Sequence, residues 1–230
     1  MLDRRDLAAV LEPTAPVRSA DPRRAILDAL VQTVALRGYD RTTIDRVLLL
    51  AKVPAPVFDE HFEDKQDCLL AALDELILRI ERAIAERIDG SACWSERVQV
   101  GLRTLLAALA GDPDGARVAF VECLSAGEPA IARVRSALAS CVPLFEEGRR
   151  RSGDDRGGDA GTDDVDIAHL PPQISEAIVG GIVSILHRRV LEDHTSELPA
   201  LLSDLSYFAL LPYLGHERAL AAAESVSACA

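Results

Sequence analysis

The stretch that decides the fold is Thr42–Lys65, TTIDRVLLLAKVPAPVFDEHFEDK, preceded by Arg23–Arg41, RRAILDALVQTVALRGYDR. Asp21-Pro22 opens a helix, because Asp accepts from the free N–H groups of a first turn and Pro fits the first helical position. Ile26, Leu30, Thr33 and Val34 follow at helical spacing, and Gly38 suits the C-terminal stop. Thr42-Thr43 predicts the cap of a second helix over Ile44–Leu50. A tight turn at Ala51–Val53 follows, and then a third helix over about Ala55–His61. That third helix is too short to hold itself, so it must be braced by packing, with Val57, Phe58 and Phe62 as anchors. From Asp64 a long helix runs to about Ile88, carrying an apolar stripe of Leu69, Ala72, Leu73, Leu76, Ile77, Ile80, Ala83 and Ile84.

Outward from this head, the pattern stays helical. Trp94–Ala110, Pro113–Ser125 and Pro129–Arg150 read as three helices separated at Gly111–Pro113 and Gly127–Pro129, with Pro143 kinking or splitting the third. Residues 148–166 are rich in Gly and Asp and read as a disordered loop. Two apolar helices close the chain, over about Pro171–Val190 and Leu198–Leu214. The sequence thus predicts an all-α fold of about nine helices. The segments are a mobile arm at 1–20, a head at 21–66, a helical body at 67–215 and a tail at 216–230.

The 230 residues are 49% hydrophobic, largely Ala and Leu, and only 4% aromatic, which suits helices. The chain has no apolar run near the ~20 residues that span a bilayer, and a cytoplasmic protein without membrane partners is expected. Its five cysteines are widely spaced, with no CxxC pair, so buried reduced thiols are favoured over metal ligands or disulfides. Net charge is −12. Residues 1–65 carry ten Lys/Arg against eleven Asp/Glu, and the rest carries 15 against 26. A near-neutral head on an acidic body is oriented toward a polyanion. The sequence contains no GxSxG, P-loop, HExxH or GxGxxG motif in context, so neither an enzyme, a metal site nor a cofactor is expected.

With Gly38-Tyr39, Thr42-Thr43-Ile44, Val47, Ala51, Val53, Phe58, His61-Phe62, Lys65 and Leu69-Leu70 in ungapped order, Arg23–Leu70 resembles the N-terminal domain of the tetracycline-repressor (TetR) family of transcriptional regulators. The resemblance implies a helix-turn-helix head, an antiparallel helical domain that binds a ligand and dimerises, and a homodimer on a palindromic duplex operator. A repressor responsive to a small-molecule effector is the expected function. The second reading is a TetR-like dimer that has lost specific DNA binding and serves as a ligand- or protein-binding module.

A groove-reading helix presents its N-terminal residues to base edges, while the preceding helix crosses the backbone. On that basis Thr42, Thr43, Arg46, Lys52, Pro54, Ala55, Val57, His61 and Lys65 are the candidate DNA-binding residues. Thr43 offers a cap, and a hydroxyl and amide for phosphate. Arg46 and Lys52 reach phosphate or are simply solvated, His61 contacts the backbone or packs on Phe62, and Lys65 matches the family's phosphate-contacting lysine. The departures are a lysine at Lys52 where the family has glycine, Pro54 for a hydroxyl, Pro56 for glycine, Val57 for Thr or Ala, and Asp59 for tyrosine. In the body, Trp94, Phe120, Glu122, Cys123, Phe145 and His187 are the distinctive side chains, either lining the implied ligand pocket or packing the core. Ile174, Ile178, Gly181, Ile182, Ile185, Leu201, Leu205 and Phe208 are the expected dimer interface, with core packing the alternative for both helices.

Overall fold

A computed structural model of the chain describes residues 21–88, 93–154 and 170–227. The described residues are helical, with α1 Pro22–Arg37, α2 Ile44–Ala51, α3 Ala55–His61, α4 Lys65–Arg87, α5 Trp94–Gly111, α6 Pro113–Phe120, α7 Glu128–Ala139, α8 Val142–Asp154, α9 Ile174–Leu191, α10 Leu202–Leu214 and α11 His216–Ser227. Short 3-10 turns at Glu122–Leu124 and Thr195–Leu201 connect α6 to α7 and α9 to α10. The chain divides into two compact units between Ala72 and Leu73, within α4. Cys68, Leu69 and Ala72 are buried members of the first unit.

In the first unit α1 supplies the largest share of the core. Ile26, Leu30 and Val34 are completely or almost completely buried, and Val47, Phe58, Phe62, Cys68 and Leu69 join them. Asp21 caps α1 by accepting from the Arg23 amide. Gly38 ends it at φ 84°, a conformation that only glycine adopts without strain. Asp64 accepts from the Asp67 amide at the start of α4, and Asp67 in turn accepts from the Glu63 amide. Asp64 and Asp67 therefore both serve the start of α4.

In the second unit α5, α8, α9 and α10 share one core, in which Val98, Leu102, Leu106, Phe145, Ile178, Leu186, Leu205 and Tyr213 are buried. The Trp94 indole N–H donates to the Leu144 carbonyl at 2.6 Å, and its ring meets Tyr213 edge-on at 5.2 Å. Arg79–Asp112, Arg97–Glu147 and Arg133–Asp74 are paired on the outside of this body.

The helix read over Pro129–Arg150, with Pro143 kinking or splitting it, is indeed two helices, because Pro143, which has no N–H, sits in the first turn of a new one, where none is needed. The body departs from the sequence expectation in three places. Residues Gly148–Asp154, expected in a disordered loop, are the last two turns of α8, held by buried Gly148 against Trp94 and by Arg149 pairing with Glu146. The tail expected from 216 is the helix α11, docked through buried Ala219 and Ala223, with Gln99 donating to the Ala222 carbonyl at 2.7 Å. The last long helix begins at Leu202, after a 3-10 turn containing Pro199, and runs through Pro212 to Gly215. The arm at 1–20 and residues 155–166 of the expected loop lie outside the described residues. None of the described helices is long and apolar enough to cross a membrane.

Candidate functional site

The third helix of the head carries the decisive geometry. Phe58 and Phe62 are 2% and 3% exposed, with ring centroids 5.5 Å apart, and they fasten α3 from beneath. Pro54, Ala55, Pro56, Asp59, Glu60 and His61 are exposed on the same short helix, and Val57 is half-buried between the two sides. Pro54 stands at the N-cap and Pro56 in the first turn. Both replace amides that a helix leaves unpaired, so the helix tolerates them. The surface they leave is apolar at its start and acidic beyond.

The approach to α2 is arranged differently from what the sequence suggested. Thr42 is buried, and its hydroxyl donates inward to the Gly38 carbonyl at 2.9 Å. It stabilises the turn and is not presented outward. Thr43 is the N-cap residue and is exposed, but its hydroxyl makes no capping bond. Arg46, one turn into α2, is exposed, as is Leu49 (80%). Lys52 closes α2 at φ 57°, in the left-handed region, and is exposed. This backbone geometry favours glycine, which accounts physically for the glycine the resemblance leads one to expect here.

Lys65 is engaged by the head's own backbone. Its ammonium donates to the Tyr39 carbonyl at 2.8 Å and to the Thr42 carbonyl at 3.1 Å, and lies 4.0 Å from the Tyr39 ring centroid. An ammonium has three donors, and here two go to the protein's own backbone and one side faces a ring. The Tyr39 hydroxyl is pushed up in pKa, first by burial and then by the charges of Asp64 and Asp40. His61 is exposed, with its ring 6.2 Å from that of Phe62. Arg41 and Tyr39 were not singled out by sequence. Arg41 is exposed two residues before Thr43, and its proximity to the Thr-Thr cap is the signal that points to it.

The pocket candidates fall into two groups. Trp94 and Phe145 are buried core side chains, with Trp94 wedged between Tyr213 and Gly148. Phe120, Glu122, Cys123 and His187 gather at the end of α6, where the His187 Nδ1 meets the Phe120 carbonyl at 2.6 Å. Glu122 is buried, with Arg117 at 3.9 Å, and the Cys123 thiol donates to the Ala119 carbonyl at 2.8 Å. Burial pushes the Cys123 thiol up to about 11, against two lowering backbone hydrogen bonds. No group of three metal-ligating side chains occurs among the described residues.

The expected interface residues are also divided. Ile178, Ile182 and Leu205 are 2–5% exposed within the single chain and belong to its own core. Ile174, Ile185 and Leu201 are half-buried against that core. Gly181 lies under Phe208 of the same chain, where a Cβ would come within 2.9 Å of the ring. Phe208 itself is 40% exposed. The exposed line on α9 is instead Ala177, Gly180 and Ser184, and nothing lies within 4 Å of a Cβ built on Gly180. Period alone could not find this, because α9 is apolar nearly all round and its inner and outer sides look alike in sequence.

Residues 26–72 match the family model described as bacterial regulatory proteins, tetR family. No curated protein sequence matches the chain. Among solved structures, the fatty acid degradation regulator FadR from Bacillus halodurans is similar with a TM-score of 0.69 at 19% identity, over 87% of this chain and 98% of that one. The transcriptional regulator FadR from Bacillus subtilis, in complex with stearoyl-CoA, follows at 0.63 and 21%, over 84% and 98%. AibR, in complex with isovaleryl coenzyme A and operator DNA, is similar at 0.58 and 14%, over 79% and 97%. At these identities the structural likeness establishes a shared fold.

Proposed function

We propose that this protein, which residues 26–72 make a member of the tetR family of bacterial regulatory proteins, is a homodimeric, ligand-responsive transcriptional repressor. The observation that carries the reading is α3 itself. It is a seven-residue helix braced by Phe58 and Phe62, with its opposite side exposed. A helix so held can enter the major groove with its exposed side. Pro54, Ala55 and Val57 supply apolar contacts to thymine methyls. Thr43, Arg46 and Lys52, joined by Arg41, supply phosphate contacts around it.

The dimer in this proposal forms through Ala177, Gly180 and Ser184 of α9 with Phe208 of α10, side chains that the monomer leaves exposed. Small residues there permit close approach of two helix pairs across a two-fold axis. Two heads so joined meet half-sites about 34 Å, or a small multiple, apart. For the effector, the reading is an amphipathic molecule seated in the body near the Phe120, Glu122, Cys123 and His187 corner. The ligands named with the two structural neighbours, stearoyl-CoA and isovaleryl coenzyme A, are of that kind. Binding acts by favouring one arrangement of the two heads over another.

The test is selection of bound duplexes from a random library, followed by gel shifts at low and moderate salt. Enrichment of a palindrome with two half-sites supports the proposal. An absence of any shift at low salt overturns it and leaves the second reading, a dimer without specific DNA binding. That reading draws on Pro54, Pro56 and Asp59, which relative to the family pattern remove a hydroxyl and two amides and add a carboxylate on the side that would face phosphate. Gly180→Leu should yield folded monomers in sedimentation; an unchanged dimer would move the interface elsewhere.

A further inference from the structure

We propose that Lys65 is a positioning residue, a latch that sets the direction of the first amides of α2, and that it does not contact phosphate. The inference rests on the DNA-binding reading above and concerns how the head achieves it. Three observations converge on the turn between α1 and α2. Thr42 is buried, and its hydroxyl is tied back to the Gly38 carbonyl. The Thr42 amide donates to the Tyr39 carbonyl at 3.1 Å. The Lys65 ammonium, entering from α4, binds that same Tyr39 carbonyl and the Thr42 carbonyl while lying against the Tyr39 ring.

The Thr42 carbonyl is the informative partner. It belongs to the same planar peptide as the Thr43 N–H, and in a trans peptide the two groups point in opposite directions. Holding the carbonyl toward Lys65 therefore aims the Thr43 N–H away from it. The Thr43 amide and hydroxyl make no hydrogen bond within the head, and the residue is exposed. The free amides of Ile44 and Asp45 follow at the start of the helix. A phosphate-facing set of this kind is useful only if it is fixed before the duplex arrives. Lys65 fixes it from within by donating to the Tyr39 and Thr42 carbonyls together, which holds both peptides of the turn in place. The cation sits over the ring face of Tyr39, which excludes water from one side of the latch and strengthens it.

The two roles for Lys65 differ in a measurable way. A lysine on phosphate releases a counterion, so its loss lowers the slope of log affinity against log salt by about 0.9. A latch leaves the slope alone and weakens binding equally at every salt concentration. The experiment uses the full-length protein, a duplex selected by the wild type from a random library, and the variants Lys65→Met, Thr43→Val and the double variant. It is run well below the unfolding midpoint of each. The expected result is binding about tenfold or more weaker for Lys65→Met, with parallel salt lines. Thr43→Val should then cost much less in the Lys65→Met background than alone, because the two residues act as one unit. A general loss of stability would leave the two effects additive, so additivity overturns the latch. A slope reduced by about 0.9 also overturns it and restores Lys65 to the phosphate set. Amide exchange of the free protein provides a readout without DNA. Protection of the two bonded amides of the turn, Thr42 on the Tyr39 carbonyl and Arg46 on the Thr43 carbonyl, should fall in Lys65→Met; unchanged protection of both refutes the latch even where a wild type that binds no duplex has already refuted the DNA-binding reading.

Discussion

Gly148→Ala tests how tightly the body is built around its single tryptophan. Alanine is better than glycine in a helix interior by about 1 kcal/mol, so propensity alone predicts a more stable protein. The structure predicts the opposite. A Cβ on Gly148 would fall 2.2 Å from Cζ2 of Trp94, 2.5 Å from Cε2 and 2.7 Å from Cη2. The ring has little freedom to yield, because its N–H is bonded to Leu144 and its edge is packed on Tyr213. Overpacking of this kind costs about 1–3 kcal/mol, and displacing the indole N–H from its carbonyl adds roughly 1 kcal/mol. The net expectation is destabilisation by about 1–3 kcal/mol. The assay is urea unfolding followed by intrinsic fluorescence, since Trp94 is the only tryptophan. The midpoint should fall and the native emission should change. Gly111→Ala, where nothing lies within 4 Å of the added Cβ, should not destabilise. A Gly148→Ala protein as stable as wild type, with unchanged emission, would refute the close α5–α8 packing.

Further expectations concern the cap, the thiols and one carboxylate. Lys52→Gly relieves a left-handed residue at φ 57° and should stabilise the protein by about 0.5–1 kcal/mol, read by thermal melting. The same change should weaken DNA binding if Lys52 reaches phosphate, so the two readouts are to be taken together. Burial pushes the Cys68 thiol up to about 12 and the Cys123 thiol up to about 11, so at pH 8 neither forms thiolate appreciably. Exposed Cys93 should react quickly with a maleimide and those two only on unfolding; peptide mapping that finds Cys68 labelled in the native protein would contradict the head's packing. The Glu146 carboxyl is held below its ordinary range, first by the Ser175 hydroxyl and then by Arg149. A depressed native pKa contributes stability above the unfolded value, which is lost as pH falls through the native one. Stability should therefore decline on acidification below about pH 4.5, and Glu146→Gln should flatten that limb. An unaltered acid limb would remove Glu146 from the account.

Much of this architecture is written locally. Asp21-Pro22 and Gly38 bracket α1, and Phe58 and Phe62 announce a short helix that needs a brace; each is a matter of neighbours within one or two turns. The ordered set from Gly38 to Leu70 carried the resemblance, and residues 26–72 match that family's model, because the set samples turn chemistry and core positions together. Tertiary structure decided what local pattern leaves degenerate. Whether Ile178 or Ala177 faces outward on an apolar helix depends on which neighbours cover it, and so did the fate of Gly148–Asp154, which polar composition marked as a loop but Trp94 holds in a helix. Lys65 is the sharpest case. Its place at the start of α4 was legible, but its partners lie 23 and 26 residues earlier. A flexible four-carbon side chain carries its charge wherever the fold brings an acceptor, so residue type and spacing cannot say whether it meets a phosphate or a carbonyl.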